Sequence, residues 1–82
     1  MRLVHIGFQN YVNADRVLAL IQPNSSPVRR IRERAFEDNK LVDATKGRKT
    51  RSILIMDSGH IVLSGIGHES MLPRFREVKD GD

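Results

Sequence analysis

Arg51-Ser52-Ile53-Leu54-Ile55-Met56-Asp57-Ser58-Gly59-His60-Ile61-Val62-Leu63-Ser64 is the stretch that decides the fold. Two runs of aliphatic, largely β-branched residues flank Asp57-Ser58-Gly59, whose composition suits a tight reversal, so they predict an antiparallel hairpin. Side chains alternate faces along a strand. Ile53 and Ile55 therefore oppose Leu54 and Met56, and Ile61 and Leu63 oppose Val62. Both faces are apolar, and both need cover.

Upstream of the hairpin, Lys40 to Thr45 predicts a strand that starts at Leu41-Val42. Ser26-Pro27 predicts a helix start, because serine caps free backbone N–H groups and proline suits the first helical turn. That helix runs to about Asn39, with Val28, Ile31 and Ala35 on one apolar face and Phe36 at its edge. Tyr11 to Ile21 reads as one extended stretch, with an amphipathic helix as the rival, and Gln22 to Ser26 stops it. Leu3 to Phe8 reads as a first strand, closed by a turn through Gly7, Gln9 and Asn10. Beyond the hairpin, Gly65 to Gly67 breaks the pattern. Glu69 to Val78 predicts a short helix that Pro73 limits or kinks, and residues 79–82 read as a frayed tail. The expected fold class is α+β: one domain over residues 1–82, with a small, mostly antiparallel sheet, one main helix and a short C-terminal helix.

One helix of roughly three to four turns and a short tail fall short of covering two sheet faces. The expectation is that another copy of the chain supplies the second cover; the alternative is that some of these side chains are simply exposed. An 82-residue chain buries a modest core. There is no cysteine for a disulfide or for a zinc site with His5, His60 and His68, which leaves oligomerisation as the stabiliser. The absence of cysteine also fits a reducing compartment. The longest apolar runs, Val17 to Ile21 and Ile53 to Met56, are far too short to cross a bilayer. With no apolar leader either, the expected location is cytoplasmic and nucleoid-associated.

The formal charge of +4 is localised. Lys46-Gly47-Arg48-Lys49-Thr50-Arg51 holds four positive charges and no negative one, and the remainder balances at ten basic against ten acidic residues. A confined basic excess is a stronger pointer to nucleic acid than a diffuse one. Arginine offers a planar fork for phosphate oxygens, lysine a point charge, Thr50 a hydroxyl, and Gly47 a tight turn. A solvated hairpin tip is the alternative. A nucleotide-hydrolysing phosphate loop does not fit, because Arg48 stands where that motif has glycine before Lys-Thr. Arg29, Arg30, Arg32 and Arg34 form a second basic group on the helix, but i,i+4 spacing pairs Arg29 with Glu33 and Arg34 with Asp38. Asp43 and Asp57 flank the basic loop, where they either hold a metal or pair with arginines and cap turns. The aromatic residues are Phe8, Tyr11, Phe36 and Phe75, and Phe36 reads as core, so stacking on unpaired bases has a weak basis. No spacing suggests an ordered catalytic triad, and neither an enzyme, a cofactor nor a small-molecule substrate is expected.

In order and spacing, several stretches resemble the RemA-like extracellular matrix regulator family. They are Ile6-Gly7-Phe8, Asn10, Arg16, Pro23, Ser25 to Arg30, Leu41 to Thr45, Gly47 to Arg51, Asp57-Ser58 and His60 to Ser64. The resemblance covers about residues 3 to 75. It implies a bacterial DNA-binding transcriptional regulator of biofilm matrix genes that assembles into ring-like oligomers. It places DNA contact on Arg16 and on Gly47 to Arg51. Lys49 stands where the family usually has a second arginine, Lys46 where an aromatic residue is common, Gln9 for a frequent glycine and Ser26 for a frequent alanine. The expected partners are double-stranded DNA and further copies of the chain, with Arg16, Lys46, Arg48, Lys49, Thr50 and Arg51 as the contact set. An RNA-binding module on the same basic surface, or a structural oligomer whose loop binds an acidic protein, are the competing readings.

Overall fold

The hairpin forms the centre of a four-stranded sheet in the computed structural model, which describes residues 1–78. The expected frayed tail lies outside the described residues. In chain order the elements are β1 (Leu3–His5), β2 (Tyr11–Asn13), β3 (Val17–Ile21), α1 (Ser26–Glu37), β4 (Leu41–Asp43), β5 (Ser52–Met56), β6 (Ile61–Ser64) and α2 (His68–Arg76). The main sheet is ordered β3-β5-β6-β4, and β1 pairs with β2 in a separate ribbon. Three pairings are antiparallel, while β4 runs parallel to β6.

The expected single stretch from Tyr11 to Ile21 is broken. A 3-10 turn at Ala14–Arg16 divides it, with the Asn13 side chain accepting from the Asp15 N–H at 3.1 Å. This break lets β2 fold back on β1 while β3 joins the main sheet. The first strand also ends early, at His5, because Gly7, Phe8 and Gln9 all take positive φ.

The consequence is cover on both faces of the sheet from within one chain. Leu54 and Val62 pack with Val4, Ile6 and Val12 from the β1–β2 ribbon and its turn, Met71 from α2, and Ala44 just after β4. Ile53, Ile61 and Leu63 pack on the other side with Val28 and Ala35 of α1. The inference that a second copy must cover one sheet face is thereby corrected. Ile53, Leu54 and Met71 are fully buried, each worth about 1.5–3 kcal/mol over exposure.

Helix α1 starts one residue earlier than its sequence suggests. Ser25, not Ser26, is the cap, its hydroxyl accepting from the Val28 N–H at 3.4 Å. At the far end Asn39 takes φ 58°, with Asn39 N–H on the Phe36 carbonyl and Lys40 N–H on that of Ala35, which is a Schellman closure. Val28 and Ala35 are buried, seven residues apart on one stripe. Phe36 lies about 100° round the helix from Ala35 and is 71% exposed, so it is not core. The pairs Arg29–Glu33 and Arg34–Asp38 do not form; among the described residues the ion pairs link distant segments, Arg16 to Asp57 for one.

Pro73 sits inside α2, and the helix runs three residues past it. Proline forfeits one backbone hydrogen bond, here on the exposed side, while buried Met71 and half-buried Phe75 hold the helix to the core.

Candidate nucleic-acid interface

Strands β4 and β5 both border β6 rather than each other, so the chain between them must cross the end of β6. That crossing is the basic loop. Its two ends are moored to β6: Ala44 N–H donates to the Leu63 carbonyl at 2.9 Å and Arg51 N–H to the Ser64 carbonyl at 2.8 Å. At its tip, Arg48 N–H donates to the Thr45 carbonyl at 3.1 Å, while Lys46 and Gly47 have φ 55° and 81°. Positive φ at both central positions is the pattern of a type I′ turn. Asp43 braces the entry: its Oδ1 accepts from the Thr45 hydroxyl at 2.6 Å and the Thr45 N–H at 2.9 Å. The Thr45 hydroxyl first, and its N–H second, hold the Asp43 carboxyl below the ordinary aspartate range. Lys46, Arg48, Lys49 and Arg51 are exposed, and among the described residues none is bonded to a carboxylate. Thr50 is half-buried beside them.

Two cross-strand serines, both fully buried, tie neighbouring segments to this loop. Ser64 Oγ donates to the Ile6 carbonyl at 2.8 Å and accepts from the Ile66 N–H at 3.0 Å. Ser52 Oγ donates to the Ile66 carbonyl at 2.7 Å. The turn after β1 is thus brought against the basic loop. Phe8 on that turn has Lys46 Nζ at 5.5 Å and Arg48 Cζ at 5.8 Å from its ring centroid, within cation–π range. Residues alone did not bring Phe8 into the contact set; Gly7 marks its turn, but only the tertiary fold sets that turn beside the loop.

Arg16 stands elsewhere. Val17 faces Met56 across the β3–β5 pair and Ile21 faces Ile53, so Arg16 lies at the opposite end of β5 from Arg51. From Ser52 to Met56 is about 14 Å of strand. Arg16 Nη1 donates to Asp57 Oδ2 at 2.9 Å, and Asp57 N–H donates to the Arg16 carbonyl at 2.8 Å. The hydrogen bond to Asp57, then the charge of that carboxylate, raises the Arg16 pKa above its ordinary value. Of the two alternatives for Asp43 and Asp57, the structure selects turn capping for the first and arginine pairing for the second. They occupy opposite ends of the sheet, and among the described residues no three histidine, aspartate or glutamate side chains gather as a metal ion would require. No helix among the described residues is long and apolar enough to cross a membrane.

Comparison with known proteins places the chain. A protein from Nitratidesulfovibrio vulgaris (strain Miyazaki F) is 51% identical over 81 residues, covering 99% of this chain and 91% of that one. One from Fervidobacterium nodosum is 55% identical over 75 residues, covering 92% and 81%. One from Thermodesulfovibrio yellowstonii is 51% identical over 83 residues, covering 98% of each. All three carry the name "Putative regulatory protein". The family model described as "Extracellular matrix regulatory protein A-like" matches residues 3–75. With nearly the whole chain matched in this way, it belongs to the RemA-like family of regulatory proteins.

Proposed function

We propose that this chain is a DNA-binding transcriptional regulator that acts as a ring-like homo-oligomer and grips duplex phosphates with a repeated basic loop. The observation that carries this reading is the loop itself: four exposed cations without carboxylate partners among the described residues, on a backbone moored at both ends to β6. Such a loop holds its charges in place before binding and releases counterions on meeting phosphate. Arg16 is a second contact. It lies at the other end of β5 from the loop, about 14 Å of strand away, so the two contacts meet different phosphates.

Assembly is supported by apolar surface that the chain leaves uncovered. Leu18 is 71% exposed on edge strand β3, Val42 45% on edge strand β4, and Phe36 71% on α1. Joining two different edges is a heterologous contact, which closes into a ring when its rotation permits. Each loop alone is a weak grip, and a ring sums many of them by effective concentration. As a family member, the protein regulates extracellular matrix genes in this reading, in the cytoplasm and without enzymatic activity. The test is a titration of duplex DNA against wild type and an Arg48→Ala/Arg51→Ala variant across a salt series. Equal affinity and equal salt slopes would remove the loop from the mechanism.

A further inference from the structure

We propose that the pocket between the Phe8 turn and the basic loop is a nucleotide site, in which a nucleobase lies against Phe8 and Ile66 while its phosphate meets Arg48, Lys49 and Arg51. The proposal rests on the basic loop being a phosphate grip and adds a base-reading part to it. The pocket holds about 360 Å³ and is lined by Gly7, Phe8, Gly65 and Ile66 together with those three cations. Pockets for small organic ligands begin at about 300 Å³. An apolar wall facing convergent cations is the complement of a nucleoside phosphate, because every base has a π-face and every nucleotide an anion.

The backbone supports this assignment independently. Phe8 and Gln9 are consecutive non-glycine residues at φ 52° and 62°, a costly conformation that clusters at functional sites. Four bonds hold it: Ile6 N–H to the Asn10 carbonyl at 2.9 Å, Asn10 N–H and Asn10 Nδ2 to the Gly7 carbonyl at 3.0 and 3.1 Å, and Gln9 N–H to His5 Nε2 at 3.2 Å. The outcome is a phenylalanine left 43% exposed beside like charges rather than sunk in the core. Phosphate contact alone needs no such ring. The two glycines keep the pocket open. A Cβ on Gly65 would lie 3.7 Å from the Lys49 carbonyl oxygen and 4.0 Å from the Arg48 Cβ, which are ordinary contact distances. A larger side chain there fits the backbone and intrudes among the lining residues.

The experiment compares probes that differ only in the base: oligothymidylate against an abasic oligodeoxynucleotide of equal length, and adenosine 5′-monophosphate against ribose 5-phosphate. Each is titrated at fixed salt into wild type, Phe8→Ala, Phe8→Tyr and Gly65→Leu, with circular dichroism confirming that the variants fold. Wild type is expected to prefer the base-bearing probe by about fivefold or more for each stacked base. Phe8→Ala and Gly65→Leu should abolish that preference, and Phe8→Tyr should keep it. A preference seen with the oligonucleotide assigns the site to a base within a strand, and one seen with the monophosphate assigns it to a free nucleotide; either supports the proposal. Equal, salt-sensitive binding of base-bearing and abasic strands overturns the base pocket and leaves the phosphate grip standing. Binding of neither strand by wild type that still binds duplex DNA overturns the base pocket alone, and loss of duplex binding as well overturns both.

Discussion

Replacing Leu54 with alanine separates cover supplied by the chain from cover supplied by a neighbour. Leu54 is fully buried, and Val4, Ile6, Val12, Ala44, Val62 and Met71 of the same chain complete its cluster. Truncating such a leucine costs about 2–5 kcal/mol. A chain of 82 residues has roughly 4–12 kcal/mol of total stability, so Leu54→Ala removes a large share of it. The melting temperature should fall by roughly 10–30 °C. Leu18, 71% exposed on edge strand β3, is the control. Leu18→Ala should change the stability of one chain by no more than about 0.5 kcal/mol while weakening assembly. Urea unfolding over a dilution series, with light scattering in parallel, distinguishes them. The Leu54→Ala deficit should be independent of protein concentration, and the Leu18→Ala deficit should be largest at high concentration and shrink on dilution as both proteins dissociate. A Leu54→Ala protein with wild-type stability and a smaller assembly would refute intrachain cover of that sheet face.

Two further expectations concern the acidic residues beside the basic groups. Asp57 occupies the Arg16 guanidinium as a phosphate would, so Asp57→Asn should strengthen duplex binding and steepen the salt slope by up to about 0.9 for each additional phosphate that Arg16 neutralises; weaker binding at constant fold would show that Asp57 instead positions Arg16 for DNA. The lowered Asp43 pKa means that its charged bonds to Thr45 contribute stability fully above the ordinary value of 3.8 and lose it as pH falls through the depressed folded value. The stability advantage of wild type over Asp43→Asn should therefore be constant above about pH 5 and shrink at lower pH, and an advantage unchanged down to about pH 2 in denaturant melts would contradict that origin.

Local chemistry made the centre of the fold legible. The β5–β6 hairpin follows from aliphatic runs around Asp57-Ser58-Gly59, and the Pro27 helix start is correct to within one residue. The second cover was not legible, because it depends on a break at Ala14–Arg16 within an otherwise extended, apolar stretch. Asn13 makes that break with one side-chain bond, a signal too local to outweigh the strand pattern around it. Phe36 misleads for a different reason: it is apolar and adjacent to Ala35, but the buried stripe of α1 is only wide enough for Val28 and Ala35. In the candidate site the charges of Lys46, Arg48, Lys49 and Arg51 are visible in sequence because nothing acidic interrupts them. The approach of Phe8 depends on Ser64 bonding the Ile6 carbonyl 58 positions away, and no spacing rule reveals that contact. The separation of Arg16 from the loop likewise requires the β3–β5 register.

The most direct test of the central claim is the affinity of wild type and the Arg48→Ala/Arg51→Ala variant for duplex DNA, measured by fluorescence anisotropy across a salt series. Tight wild-type binding that falls steeply with salt, with a variant that binds more weakly and whose slope is flatter by about 0.9 for each phosphate left without its cation, is the predicted result. Wild-type and variant curves that coincide at every salt concentration, on promoter and random duplex alike, would contradict it.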